Sequence, residues 1–154
     1  MREIQEVILH CTATPPDRVL TVKEIRKWHV KERGWSDIGY HFLIHQDGTI
    51  ERGRHIGKVG AHTWGNNYGS IGVAYSGGVV KKVKKSLDKK KPKSKTTLVS
   101  KDTMTKKQED SFRNLFTMLQ VMFGELKLTG HNDYNQAKDC PSFKVGNKFG
   151  DLIK

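Results

Sequence analysis

The chain has 154 residues, with 35% hydrophobic and 29% charged residues and a formal net charge of +12. That length suits one domain and leaves no room for a second sizeable core. Fifteen glycines and 13 aromatic residues argue against wholesale disorder, and no apolar run approaches the ~18 residues needed to cross a bilayer. The N-terminal run Met-Arg-Glu-Ile-Gln-Glu carries charges where a signal peptide needs an apolar stretch. The expectation is a soluble chain made in the cytosol, without membrane insertion, reaching any target outside through an export route supplied by others. Two cysteines are too few for a disulfide scaffold.

In chain order, Glu6 to His10 is a short apolar run of the kind that forms a buried strand. Pro15, Pro16 and Asp17 follow as loop residues. Thr21 and Glu24 predict a capping box, with Val22, Ile25 and Trp28 at helical spacing behind it and Gly34 ending the helix. Tyr40–Ile44 and Thr49–Arg52 read as strands joined by a turn at Asp47-Gly48. Residues 57–69 form a Gly/Asn-rich structured loop holding His62 and Trp64, and Ser70–Tyr75 is another strand closed by Gly77-Gly78. Thr105 and Gln108 make a second capping box ahead of Phe112, Leu115, Phe116, Leu119 and Met122, which share one helical face. Leu126–Thr129 is a short strand, and a turn-rich tail anchored by Phe143 and Phe149 follows. Interleaved strands and helices give an α/β class, a single domain with a central mixed sheet flanked by helices.

The positive charge is concentrated. Nine lysines and one acid, Asp88, lie between Lys81 and Lys95, so this segment carries +8 and the rest of the chain +4. With Pro92, two serines and no apolar periodicity it reads as a solvated loop or hairpin tip, solubilising or drawn to an anionic polymer. It has no arginine and no aromatic residue, the groups that bidentate base readout and stacking use.

Two histidines and a thiol are the residues able to do metal chemistry: His10 at a strand end, with His131 and Cys140 in the late loop. Such a donor set suits zinc, and three protein ligands leave a fourth position for water. Spacing alone carries little, since the three are in no compact ligand motif. His10 and Cys11 are neighbours on a strand and point to opposite faces. If His10 and Cys140 share a metal, Cys11 therefore faces away, and a Cys11–Cys140 disulfide competes with the metal site.

The runs VILHCTAT at 7–14, KEIRKWH at 23–29, RGWSDIGYHFLIHQDGTIERGR at 33–54, VGAHTWGNNYGSIGVAYSGG at 59–78 and GHNDYNQAKDCPSF at 130–143 together resemble the zinc-dependent N-acetylmuramoyl-L-alanine amidases. That family includes the peptidoglycan recognition proteins, and the likeness is greatest to its short phage members. It covers residues 1–154 apart from a lysine-rich insertion loop at about 80–101. The resemblance implies a peptidoglycan hydrolase that cleaves the amide between N-acetylmuramic acid and L-alanine. It implies Zn2+ held by His10, His131 and Cys140, and catalytic roles for Tyr40 and Lys138. It places His62, and with less support Trp64, Asn66 and Asn67, in the substrate groove. The His131–Cys140 interval is one residue longer than in the nearest phage relatives, while the Lys138–Cys140 interval is kept.

The chemistry asks for an activated water and for donors to the oxygen that becomes negative, roles that zinc, a phenol and an ammonium fill. No glutamate is placed as a general base. His29, His41, His45, His55 and Trp35 read as packing, surface or groove-wall residues. A non-catalytic muropeptide-binding protein on the same scaffold is the alternative, although the Cys140 ligand favours catalysis. Some phage relatives also bind the phage RNA polymerase, and no residue here marks that second role. Expected partners are peptidoglycan and, through the lysines, an anionic cell-envelope polymer. The site of action is the cell wall, after another protein has permeabilised the membrane.

Overall fold

Five parallel or antiparallel neighbours make the central sheet of the computed structural model, which describes residues 2–88, 90 and 94–153. The strands are β1 (Glu6–Cys11), β2 (Phe42–Ile44), β3 (Ile50–Arg52), β4 (Ser70–Tyr75) and β7 (Lys127–Gly130), in the order β3-β2-β4-β1-β7. Only the β2–β3 pair is antiparallel, closed by the Asp47-Gly48 turn, so the sheet is mixed. The predicted Tyr40–Ile44 strand starts at Phe42, because Tyr40 and His41 use their carbonyls to accept from Arg54 and Gly53 across an irregular end of the hairpin. No helix among the described residues is long and apolar enough to cross a membrane.

Strand alternation divides the core into two layers. Val7, Leu9 and Cys11 join Phe42, Ile44, Val73 and Tyr75 beneath Phe112, Leu115, Phe116 and Leu119 of helix α2 (Lys106–Phe123). Leu43 and Ala74 face the other way, onto Val22 and Ile25 of helix α1 (Val22–Lys31). His10 lies on this second side, its ring 5.2 Å from that of Tyr40.

Both helix starts follow the sequence, with one difference. At α2 the box is reciprocal: the Gln108 amide N–H donates to Thr105 Oγ1 (3.1 Å) and the Thr105 N–H to Gln108 Oε1 (2.9 Å). Gln108 is also buried and its Nε2 donates to the Ile44 and Ser76 carbonyls, fixing α2 on the ends of β2 and β4. At α1 only the Thr21 half forms; Glu51 of β3 caps Val22 N–H instead.

Of the two forms expected for the lysine segment, its described residues take the hairpin. Strands β5 (Val79–Lys85) and β6 (Ser94–Ser100) pair antiparallel as a separate two-stranded sheet, so most of its described lysines sit on strands. Lys89, Lys91, Pro92 and Lys93 lie outside the described residues. After β7 the chain forms two four-residue helices, α3 (His131–Tyr134) and α4 (Val145–Lys148), then a 3-10 turn.

Two buried histidines set an acid limit on the fold. His29 Nδ1 accepts from the Gly39 N–H (2.9 Å) and His41 Nδ1 from the Gly72 N–H (3.0 Å). Burial, aided by nearby arginines, lowers each ring from 6.5 to about 4. Unfolding frees them to bind protons, so stability falls as pH drops from about 6.5 toward about 4. In calorimetry at pH 7.5, 6 and 5 the thermal midpoint should decline, and less steeply in His29→Gln. Equal slopes in the two proteins would remove His29 from this balance.

Candidate metal centre

The site forms where two parallel strands end together. Leu9 of β1 pairs with Gly130, the last residue of β7, so His10 of β1 and His131, which opens α3, stand at the same carboxyl edge with ring centroids 4.8 Å apart. The α3 turn then brings the chain back: the Asn132 N–H donates to the Cys140 carbonyl (2.8 Å), and buried Tyr75 donates its hydroxyl to the Pro141 carbonyl (2.6 Å). Cys140 Sγ is thereby held 3.7 Å from His10 Nδ1. One ligand atom from each of His10, His131 and Cys140 lies within 4.8 Å of the others, close enough to share one ion.

His10 is fixed from behind. Its Nε2 lies 2.9 Å from His62 Nδ1, and His62 Nε2 lies 3.3 Å from Ser70 Oγ. Because Ser70 Oγ donates to the Asn66 carbonyl (2.6 Å), it must accept from His62. The network therefore assigns one set of tautomers: His10 Nε2–H donates to His62 Nδ1, leaving the His10 Nδ1 lone pair facing Cys140. Burial holds His10 and His62 well below the usual histidine range, and each also faces other histidines.

His62, the expected groove residue, is one of this network. Its ring is only 7% exposed and supports His10 from inside. The ring crosses β4 above Gly72, where a Cβ would come within 2.5 Å of His62 Cγ and Cδ2. Gly72 is the residue that sequence reading missed, and a glycine inside an apolar strand was its signal. Asn67 is likewise structural: its Oδ1 accepts from the His62 and Thr63 N–H groups (2.9 and 2.8 Å). Asn66 is half-buried and braces the same turn, while Trp64 stands 97% exposed beside it.

Tyr40 and Lys138 neighbour different ligands. Tyr40 packs between His10 and His29, and burial together with the nearby thiols pushes its phenol above the ordinary tyrosine range, so it stays protonated. Its cleft, about 240 Å³, is also lined by Thr12, Thr14, Arg18 and Trp28. Exposed Lys138 is close enough for its charge to lower both His131 and Cys140. Burial is the larger influence on His131. A larger depression of about 610 Å³, between α2 and the β2–β3 hairpin, contains none of the three ligand residues.

Cys11 is nearer than alternation suggested. Its thiol does point to the α2 side, but Cys140 sits off the end of β1 and meets both faces. The Cys11 backbone N–H donates to Cys140 Sγ (3.1 Å), and the two thiols also interact. That contact lowers Cys11 and, with burial, raises Cys140. The pair thus loses a first proton easily and a second with difficulty. Both cysteines are free thiols.

Residues 1–143 match the family described as N-acetylmuramoyl-L-alanine amidase. The chain belongs to that family. Among relatives of the amidase, the endolysin of Enterobacteria phage T3 is 39% identical over 141 residues, 92% of this chain and 82% of its own. The endolysin of Escherichia phage T7 is also 39% identical, over 139 residues, 90% of this chain and 81% of its own. The solved N-acetylmuramoyl-L-alanine amidase LysC from Clostridium intestinale superposes with a TM-score of 0.73 at 27% identity, covering 99% of this chain and 88% of that one. The protein is a peptidoglycan hydrolase of the amidase class, as the sequence resemblance implied.

Proposed function

We propose that the amidase holds one zinc ion on His10 Nδ1, His131 and Cys140 and cleaves the bond between N-acetylmuramic acid and L-alanine there. The observation that carries this reading is the donor set itself: two imidazoles and a thiol converge, with the far nitrogen of His10 already committed to His62. Nitrogen and sulfur donors suit zinc, whereas calcium and magnesium ask for oxygen. When bound, the metal supplies an activated water and polarises the scissile carbonyl.

The protein's own groups do the rest. Tyr40, kept protonated, donates a hydrogen bond to the oxygen that becomes negative as the carbonyl carbon turns tetrahedral. Lys138 offsets the same charge from the solvent side and gives the departing amine of L-alanine its proton. Trp64, exposed on the loop that Asn66 and Asn67 hold, touches the muropeptide.

The phage endolysin relatives support action on the bacterial wall during lysis. Mass analysis of digested sacculi tests the reaction: released peptides should begin with a free L-alanine amino group, and new reducing sugar ends in their place would sink the assignment.

His62 and Gly72 give a separate check on the metal. His62→Ala removes the acceptor for His10 Nε2–H, and Gly72→Ala drives a methyl into the His62 ring. Each should weaken zinc binding by roughly 10–100-fold, the usual cost of losing an orienting partner. Competition against a chromophoric chelator measures it, and unchanged affinity in both variants would remove His62 from the ligand support.

A further inference from the structure

The β5–β6 arm is built against its own local preferences. Its register sets Lys84 directly opposite Lys95, with Lys82 two residues along the same face, and like charges across a strand pair repel. An isolated two-stranded hairpin is marginal without a covering layer, yet the described residues of this one are largely exposed. Counter-charge is scarce: Asp88 is the single acid in residues 79–101, and Asp88 Oδ1 already accepts from the Lys90 N–H. Among the described lysines of 81–95, only Lys81 has an ion-pair partner, Asp17 at 3.3 Å.

The foot of the arm is fastened to the metal centre. Ser142, two residues beyond Cys140, donates its hydroxyl to the Gly78 carbonyl (2.7 Å) and accepts from Ser100 Oγ (2.9 Å). Gly78 lies so close over Cys11 that a Cβ would come within 2.4 Å of its sulfur. Ser100 and Lys138 line one depression of about 320 Å³. The arm therefore rises from the edge of the metal centre, with the Lys84–Lys95 pair about 17 Å along it from Val79–Ser100.

We infer that the β5–β6 arm docks the amidase on the repeated carboxylates of peptidoglycan, the polymer it cleaves. The inference rests on the peptidoglycan-hydrolase reading and adds the surface that finds the substrate. An anion lying along Lys82, Lys84 and Lys95 relieves their mutual repulsion and concentrates scissile bonds at the site. Nucleic acid is the weaker fit, because residues 79–101 contain no arginine or aromatic residue to read or stack on bases.

The test is the full-length triple variant K82S/K84S/K95S, which leaves Gly78, Ser100 and Ser142 intact, with K82R/K84R/K95R as the charge-preserving control. Four readouts are taken from roughly 20 to 300 mM salt, a range in which the screening length shortens from about 20 Å to under 8 Å. They are co-sedimentation with intact sacculi, with sacculi chemically stripped of phosphate polymers, binding to duplex DNA, and cleavage of a small uncharged muropeptide analogue. The serine variant should bind and clear intact sacculi about tenfold less well at low salt, with a flatter salt dependence. The arginine variant should match the parent, and both should cleave the small analogue normally. A deficit on both kinds of sacculi is the expected result; a deficit on intact sacculi alone would replace the carboxylates with an attached phosphate polymer and overturn the inference. Unchanged sacculus binding overturns the inference, as does an equal loss on the small analogue. Loss confined to DNA binding would replace the wall polymer with nucleic acid. If the parent itself fails to cleave the analogue, the amidase reading fails, while the co-sedimentation result still judges the arm.

Discussion

Cys140→Ser should leave a folded protein that no longer retains zinc and clears peptidoglycan roughly 10⁴-fold more slowly or worse, the scale seen when a catalytic unit loses an essential member. A hydroxyl is a poor replacement for thiolate as a zinc ligand, and the remaining two imidazoles do not make a closed set. Cys11→Ser is the matched control. The hydrogen bond that Cys11 gives to Cys140 comes from its backbone N–H, which serine keeps. That variant should hold metal and activity close to the parent's. Elemental analysis of the dialysed proteins, beside turbidity clearing, decides it. Zinc retained by the Cys140 variant and lost by the Cys11 variant would reverse the ligand assignment.

Tyr40→Phe and Lys138→Ala should separate chemistry from metal capture. Tyr40 packs at a tilt against His10, and Lys138 acts on His131 and Cys140 through charge; neither supplies one of the three convergent ligand atoms. Each variant should bind zinc normally and fold, while turnover falls about 10²–10³-fold, as for loss of one oxyanion donor. The fall should appear in kcat with KM little altered, because the interaction belongs to the transition state. Near-normal turnover at saturating substrate in both would remove them from the reaction.

Much of the scaffold was legible because local signals agreed with the global fold. The Thr105/Gln108 box, the Asp47-Gly48 turn and the apolar face of α2 needed nothing beyond their own segments. The metal set was not legible from spacing, since residues 10, 131 and 140 meet only through the parallel β1–β7 register and the return of the α3 turn. It was the combination of motifs, matched as a family, that brought them together. The inward turn of the His62 ring was not legible, because a loop histidine beside glycines and asparagines reads as exposed and only the gap at Gly72 tells otherwise. The lysine segment hid its strands for a different reason. Val79, Val80, Val83, Thr96, Thr97 and Val99 carry β preference, but the lysines between them mask any apolar alternation. Cys11 shows the limit of the alternation rule, which orders residues along a strand and says nothing of a side chain arriving past its end.

The atoms that surround the metal decide the ligand assignment, and zinc K-edge X-ray absorption of the purified amidase reads them directly. One sulfur at about 2.3 Å with two imidazole nitrogens at about 2.0–2.1 Å, and one further light scatterer, is the predicted shell. Two sulfurs would bring Cys11 into the site, and a shell without sulfur would remove Cys140; either result contradicts the His10–His131–Cys140 centre.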